Sequence, residues 1–199
     1  MSQSRVRFAR AALCGCLLSA VLVLPASALA ASGGGIGLPG ETDQAEPTPT
    51  PPPPVAGSEA KLRKSGLAAA PADAPPEVKA AIEAANRIDD ASYCTGGGHG
   101  KWKSRCYDCS GAVSYVLGPK GAGILDSPLP SGDLERWGYR GKGGWISVYA
   151  NGGHAYMVIA GKRFDTSTGG DRWNQGSGPR WRKKKRKPLG FTGKYYPGF

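Results

Sequence analysis

The chain has 199 residues and a formal net charge of +11, from 26 Lys and Arg residues against 15 Asp and Glu residues. A balance this basic favours an anionic partner or substrate surface. The apolar run at residues 11–24 is shorter than the roughly 20 residues that a membrane-spanning helix needs, although an uncleaved N-terminal anchor stays open as an alternative.

The N-terminus has the three parts of a secretory signal peptide. Arginines precede the apolar run, and Ala28-Leu29-Ala30 forms a small-residue cleavage site. We therefore predict that residues 1–30 are a signal peptide and that the protein is secreted or associated with the cell envelope. Cleavage leaves three cysteines, Cys94, Cys106 and Cys109, and this odd count in an oxidising compartment predicts one disulfide and one free thiol.

Residues 31–76 differ sharply in composition from the rest of the chain. They contain 7 Gly and 10 Pro among 46 residues, and no aromatic residue occurs between Phe8 and Tyr93. Such a segment buries too little apolar surface to offset its conformational entropy. We therefore predict a disordered, partly polyproline tether, either a spacer alone or an arm that lets the C-terminal part work at a distance from a surface.

Residues 77–199 hold every Trp and Tyr and are long enough for one domain with one core. The stretch PPEVKAAIEAANRI, residues 75–88, predicts a helix because its apolar residues recur on one face. A glycine-rich loop follows at residues 93–102. A second helix is predicted at Ser110–Leu117, where a Gly-Pro pair ends the apolar stripe.

Alternating apolar residues predict strands in the C-terminal half of the chain. These strands are Trp145–Ala150, His154–Ala160 and Arg163–Ser167, with a further strand at Phe191–Tyr196. A turn at Gly161-Lys162 would join the second strand to the third as a hairpin. Helices first and strands afterwards predict the α+β fold class with an antiparallel sheet.

Cys109 is the candidate nucleophile. Asp108 can cap the second predicted helix, which puts Cys109 in the first turn, where free N–H groups and the helix dipole favour a thiolate. His154 opens an apolar strand, from which a neutral imidazole could reach the helix start and remove the thiol proton. A buried cysteine that only packs at a helix start is the alternative for Cys109.

Asp165 is the candidate third member of this group, because a general base works best when another polar group fixes its tautomer. With a Gly161-Lys162 turn, Asp165 pairs opposite Val158, on the face of His154 but about 13 Å from it along the strand. A longer turn, a bulge or strong twist must shorten that distance. A surface aspartate that closes the hairpin is the alternative.

The stretch YDCSGAVSYVL, residues 107–117, followed by GGHAYMVIAGKRFDTS, residues 152–167, resembles the NlpC-type cell-wall peptidases, a papain-like group of cysteine enzymes. Tyr93 and the Gly96-Gly97 pair lie where this family has its aromatic-plus-glycine loop. The resemblance spans roughly residues 77–167.

The resemblance implies a papain-like fold in which N-terminal helices pack on the antiparallel sheet. It implies cleavage of peptide bonds in peptidoglycan stem peptides, often between D-glutamate and a diamino acid, by a monomer that needs no cofactor. Cys109 would be the nucleophile, His154 the base and Asp165 the third polar residue, where the family commonly has a second His. The implied residues of the substrate cleft are Tyr93, Asp108 and Ser110.

The cysteines allow two further interpretations. Cys94, His99, Cys106 and Cys109 have ligand-like spacings for a small zinc-binding domain, and Cys106 with Cys109 could form a redox pair. An oxidising compartment instead favours a Cys94–Cys106 disulfide, which leaves Cys109 free. His99 is then either a surface residue of the glycine-rich loop or a cleft residue that contacts a stem-peptide carboxylate.

The stretch RWRKKKRK, Arg180–Lys187, favours a different class of function, a non-catalytic binding module. It could dock onto anionic wall polymers, and export argues against nucleic acid as the partner. A solvated basic hairpin without a ligand is the alternative. The basic residues are Arg180, Arg182, Lys183, Lys184, Lys185, Arg186 and Lys187.

Overall fold

An antiparallel sheet of six strands forms one layer of the domain, and three helices contact its strands. The computed structural model describes residues 50–167 and 178–199, which belong to a compact unit spanning Ala45–Phe199. This architecture confirms the α+β class with an antiparallel sheet. Within the described residues, no helix has the length and apolar character to cross a membrane. The predicted signal peptide and the first part of the predicted tether, through residue 49, lie outside the described residues.

The helices are α1 (Pro76–Ile88), α2 (Cys109–Leu117) and α3 (Ser131–Leu134). The strands are β1 (Lys61–Leu62), β2 (Ala68–Ala69), β3 (Tyr139–Arg140), β4 (Ile146–Asn151), β5 (His154–Ile159), β6 (Lys162–Asp165), β7 (Arg180–Arg182) and β8 (Thr192–Tyr195). The six-stranded sheet has the order β3-β8-β4-β5-β6-β7, and β1 pairs with β2 in a separate ribbon.

Helix α1 forms where the sequence predicts it, with Pro76 in its first turn and its apolar face buried in the core. Helix α2 packs against both α1 and β5, and every one of its residues is buried. It begins at Cys109, one residue before the predicted start, and ends at Leu117 as expected, with Gly118 as its C-cap. The start of α2 is therefore held between α1 and the sheet strand that His154 opens.

The turn of the β5–β6 hairpin differs from the prediction by one residue. Ala160 and Gly161 form it, both with positive φ (44° and 78°), and Ile159 pairs with Lys162. Positive φ at both central positions is the geometry that matches the twist of a two-residue hairpin. Because the turn begins one residue earlier, Asp165 lies two residues closer to His154 along the hairpin than a Gly161-Lys162 turn would place it.

The predicted disordered tether is wrong for residues 50–76. Val55, Ala60 and Ala74 are buried there, and the β1–β2 ribbon carries two further buried alanines. Backbone hydrogen bonds fix the segment, including one of 2.9 Å from Ala60 N–H to the carbonyl of Ala160 at the β5–β6 turn. The composition of this segment did not indicate its order, because its small side chains let its backbone approach the rest of the domain closely. The ordered domain therefore begins upstream of Glu77.

The basic C-terminal segment is not a hairpin. Arg180–Arg182 form strand β7 at the edge of the sheet, paired with β6, whereas β8 pairs with β3 and β4. Trp181 and Arg182 are buried, so the first part of the segment belongs to the fold. The side chains of Lys183–Lys185 and Lys187 are exposed.

Candidate active site

Cys109 occupies the first position of α2, as the sequence predicts for a reactive thiol. The Asp108 carboxylate caps the helix by accepting a 2.7 Å hydrogen bond from Gly111 N–H. A side chain at Gly111 would lie only 1.9 Å from the carbonyl oxygen of Gly97, so glycine is required where the glycine-rich loop crosses the helix start. The cap and this close approach fix the position of the thiol, which is the one free cysteine among the described residues.

His154 reaches the thiol from the first position of β5. The tight β4–β5 turn holds it there, because Asn151 Oδ1 accepts hydrogen bonds of 2.9 Å from the N–H groups of both Gly153 and His154. The His154 side chain and the Ala155 N–H lie close enough to the Cys109 sulfur to lower the pKa of its thiol. A candidate nucleophile and a candidate base thus lie close together, as acyl transfer by a cysteine requires.

Asp165 is the third member of the group. Its Oδ1 lies 2.9 Å from His154 Nε2, which leaves Nδ1 as the ring nitrogen for the thiol. Ser167 donates to the same carboxylate twice, from N–H to Oδ1 at 2.9 Å and from its hydroxyl to Oδ2 at 2.8 Å. The Asp165 side chain is fully buried, so these bonds are made away from water.

The three groups stabilise one another as charged species. Burial alone would raise the pKa of Asp165, but hydrogen bonds from His154 and Ser167 outweigh it and bring that pKa to about 2. Burial likewise opposes a charged His154, yet the bonds to Asp165 and Cys109 raise its pKa to about 9. The pKa of Cys109 is lowered, because hydrogen bonds from His154 and Ala155 outweigh burial. These directions favour the thiolate–imidazolium pair over the neutral thiol and imidazole.

The predicted cleft residues lie around the thiol. Asp108 and Ser110 flank Cys109 in the chain, and Ser110 donates a 3.2 Å hydrogen bond to Asp108 Oδ1. Tyr93 is 39 % exposed, and its pKa is raised by burial and by the nearby charges of Cys109 and Asp108. An exposed phenol close to a nucleophile is available to a bound substrate.

His99 is partly buried beside these residues and is not a simple surface histidine. Its Nε2 lies 3.0 Å from Asp108 Oδ1 and 3.1 Å from Ser110 Oγ, and its side chain is 25 % exposed. The one signal for His99 in the sequence is its place in the glycine-rich loop ahead of the candidate nucleophile. The contacts with Asp108 and Ser110 depend on the loop folding back onto α2.

Cys94 and Cys106 form the predicted disulfide. This bond contradicts the zinc interpretation, because it removes two of the four thiolate and imidazole ligands that the proposed set needs. It also contradicts the redox pair, since Cys106 is bonded to Cys94 and not to Cys109. Within residues 50–167 and 178–199, no group of three or more His, Cys, Asp and Glu side chains could hold a metal ion. The disulfide fastens the base of the glycine-rich loop.

Arg186 is a site residue that the sequence did not single out. In the sequence it belongs to the basic segment that could dock onto anionic wall polymers, but its Nη1 lies 3.2 Å from Asp165 Oδ2. Only the folding of the segment between β7 and β8 brings it there, so no local motif could have indicated the contact.

Comparisons with protein-family models, with curated proteins and with solved structures give no match for this chain.

Proposed function

We propose that the protein is an exported cysteine peptidase of the papain-like class that hydrolyses peptide bonds in peptidoglycan stem peptides. The observation that carries the proposal is the grouping of the Cys109 thiol, the His154 imidazole and the buried Asp165 carboxylate, with 2.9 Å between His154 Nε2 and Asp165 Oδ1. The pKa directions of all three groups favour the ionised form that a thiol nucleophile needs.

The mechanism is acyl transfer in two steps. The Cys109 thiolate attacks the amide carbonyl carbon, and the charge on the carbonyl oxygen is met by the backbone N–H of Cys109 and by the Tyr93 hydroxyl. The imidazolium of His154 gives its Nδ1 proton to the leaving amine, and the C–N bond breaks to leave a thioester. Neutral His154 then takes a proton from water, whose oxygen attacks the thioester carbon. The C–S bond breaks, which releases the carboxylic acid and restores the Cys109 thiolate and the His154 imidazolium.

Asp165 does not exchange a proton in this cycle. Its carboxylate accepts from His154 Nε2, keeps Nδ1 directed to the thiol and stabilises the imidazolium. The low pKa of Asp165, about 2, keeps the carboxylate ionised throughout the pH range in which the thiolate forms.

The choice of substrate class is supported by the resemblance of residues 107–117 and 152–167 to the NlpC-type peptidases. It is also consistent with the net charge of +11, because peptidoglycan stem peptides carry carboxylates. Within that class we propose the bond between D-glutamate and the diamino acid as the one that is cleaved.

Digestion of purified peptidoglycan, read by mass spectrometry, tests the proposal. The full-length protein should release fragments split within the stem peptide, and Cys109→Ala should release none. Asp133→Asn, a change at an exposed aspartate of α3 that pairs with Arg136, serves as the control that should digest normally. Glycan-strand breaks, or identical products from the wild type and Cys109→Ala, would contradict a cysteine peptidase.

A non-catalytic role in wall binding is the second candidate, and the exposed lysines Lys183–Lys185 and Lys187 are the observation that favours it. An exposed cationic cluster can dock onto anionic wall polymers through long-range attraction that salt screens. Charge reversal of Lys185 and Lys187 should weaken sedimentation of the protein with purified sacculi at low salt. Unchanged sedimentation would argue against docking by this segment.

A further inference from the structure

Arg186 makes polar contacts with the carboxylate that orients the base. Its Nη1 lies 3.2 Å from Asp165 Oδ2 and 3.3 Å from Ser167 Oγ. Oδ2 also accepts from the Ser167 hydroxyl, while Oδ1 faces His154. The two oxygens of the carboxylate are thus divided, one between Arg186 and Ser167 and the other turned to the imidazole and Ser167 N–H.

The guanidinium also packs on two aromatic rings that contact the imidazole. Arg186 Cζ lies 4.7 Å from the ring centroid of Phe191 and 5.1 Å from that of Tyr156. Phe191 meets the His154 ring edge-on at 6.0 Å, and Tyr156 is stacked with it at 6.5 Å. Cation–π contacts of this kind favour a planar, charged guanidinium over a lysine ammonium.

Other charged groups face the same pair. Arg163 Nε lies 3.7 Å from Asp165 Oδ2, and the Cys109 thiolate faces His154 from α2. The Arg163 side chain comes from β6 itself, the strand that carries Asp165. Arg182, from β7, donates a 3.1 Å hydrogen bond from Nε to the backbone carbonyl of Asp165. Arg186 differs from both arginines because it contacts the carboxylate and also the two rings that flank the imidazole.

We propose that Arg186 is a positioning residue for the His154–Asp165 pair. It holds Oδ2 so that Oδ1 is directed at His154 Nε2, and it clamps the Phe191 and Tyr156 rings against the imidazole. The inference rests on the proposed peptidase function for its kinetic consequence, and it can be tested separately from that function. Arg186, a residue of the basic segment, thereby belongs to the candidate site.

Three variants separate positioning from charge and from folding. Arg186→Met removes the hydrogen bonds and the charge but keeps an unbranched side chain of similar length. Arg186→Lys keeps the charge without the planar stack. Lys187→Met is the matched control, because it also removes one positive charge, at the neighbouring position, where the side chain is exposed.

The first readout is the proton NMR resonance of the His154 ring N–H that is bonded to Asp165, assigned by its loss in His154→Ala. We expect this downfield resonance in the wild type and in Lys187→Met, its loss in Arg186→Met, and its partial return in Arg186→Lys. A proton in a fixed, buried hydrogen bond exchanges slowly, whereas a mobile carboxylate releases it to water. This readout needs no substrate, so it decides the role of Arg186 even if peptidoglycan is not cleaved.

The second readout is steady-state kinetics on a stem peptide. Arg186→Met should lower kcat on the order of tenfold with KM changed less than about twofold, because positioning acts on the transition state and not on substrate binding. Arg186→Lys should recover part of kcat. A wild-type resonance in Arg186→Met would overturn the proposal, whether or not kcat can be measured. If Arg186→Met fails to fold, a wild-type resonance and kcat in Arg186→Lys would overturn the role of the stacked guanidinium.

Discussion

Replacing Asp165 by Asn should raise the pH at which Cys109 becomes reactive. The carboxylate lies 2.9 Å from His154 Nε2 and is the first of the groups that raise the pKa of His154 from 6.5 to about 9. At ~1.4 kcal/mol per pKa unit, that increase corresponds to about 3 kcal/mol in favour of the imidazolium. An amide carries no charge and can present its NH₂ group to Nε2, so much of this stabilisation is lost.

The size of the effect follows from the interaction of opposite charges in contact, which shifts a pKa by roughly 1–3 units. The pKa of His154 should fall by about that amount in Asp165→Asn, and the thiolate should lose its cationic partner. Alkylation of Cys109 at pH 6 should then slow on the order of tenfold or more, since rate follows thiolate fraction.

Stability measurements are a poor probe of the same pair. The raised pKa of His154 contributes stability that is complete below pH 6.5 and is lost as pH rises through about 9. The lowered pKa of Cys109 contributes stability that is present above its ordinary value of 9.0 and is lost as pH falls through the folded-state pKa. The two contributions change the stability with pH in opposite directions, because the proton moves from the Cys109 sulfur to the His154 ring without leaving the folded chain.

Alkylation with iodoacetamide between pH 4 and pH 10 is therefore the assay, with peptide mapping to count only the label on Cys109. Asp133→Asn is the control for an unrelated loss of one negative charge. An alkylation profile of Asp165→Asn that overlays that of the wild type would refute the coupling of Asp165 to the thiol through His154.

Two further predictions concern the core. Asn86→Ala removes three buried hydrogen bonds of 2.8–2.9 Å, two with the backbone of Ala68 and one from Trp181 Nε1. The free energy of unfolding, measured by urea titration, should fall by about 3 kcal/mol. A loss below about 1 kcal/mol would contradict this role of Asn86. The pKa of Asp89 is raised to about 6, mainly by burial. Its carboxyl group therefore contributes stability to the protein that is complete below pH 3.8 and is lost as pH rises through about 6. Asp89→Asn keeps the acceptor for Trp181 N–H and should gain about 2 kcal/mol at pH 8 and little at pH 4, so an equal gain at both pH values would refute the buried charge as the cause.

The elements of the fold that local rules specify were predicted well. Helix α1 has its proline and apolar face in sequence, and α2 has its capping Asp108 and terminal glycine, so both were located within a residue or two. The hairpin was predicted, but its turn was not, because Gly161 alone does not reveal that Ala160 shares the positive φ. One residue of error in the turn doubled the apparent offset between Asp165 and His154, from two residues to four along the strand.

Cys109, His154 and Asp165 were identified from sequence because a helix cap, a scarce histidine and a hairpin each leave a local signal. Arg186 leaves none, and His99 leaves only its place in the glycine-rich loop. Arg186 contacts Asp165, and His99 contacts Asp108, only because the loops that carry them fold back onto the domain. Composition and periodicity do not predict such contacts between distant parts of the chain. Residues of this second kind are found only from coordinates.

The ordering of residues 50–76 has a practical consequence for truncation. A fragment cut at residue 77, where the composition changes, would strip Val55, Ala60 and Ala74 from the surface they cover and remove the hydrogen bond that ties Ala60 to the tip of the β5–β6 turn. Freshly uncovered apolar surface invites aggregation. An inactive or insoluble fragment of that length would therefore reflect the loss of residues 50–76 and would not be evidence against the reactivity of Cys109.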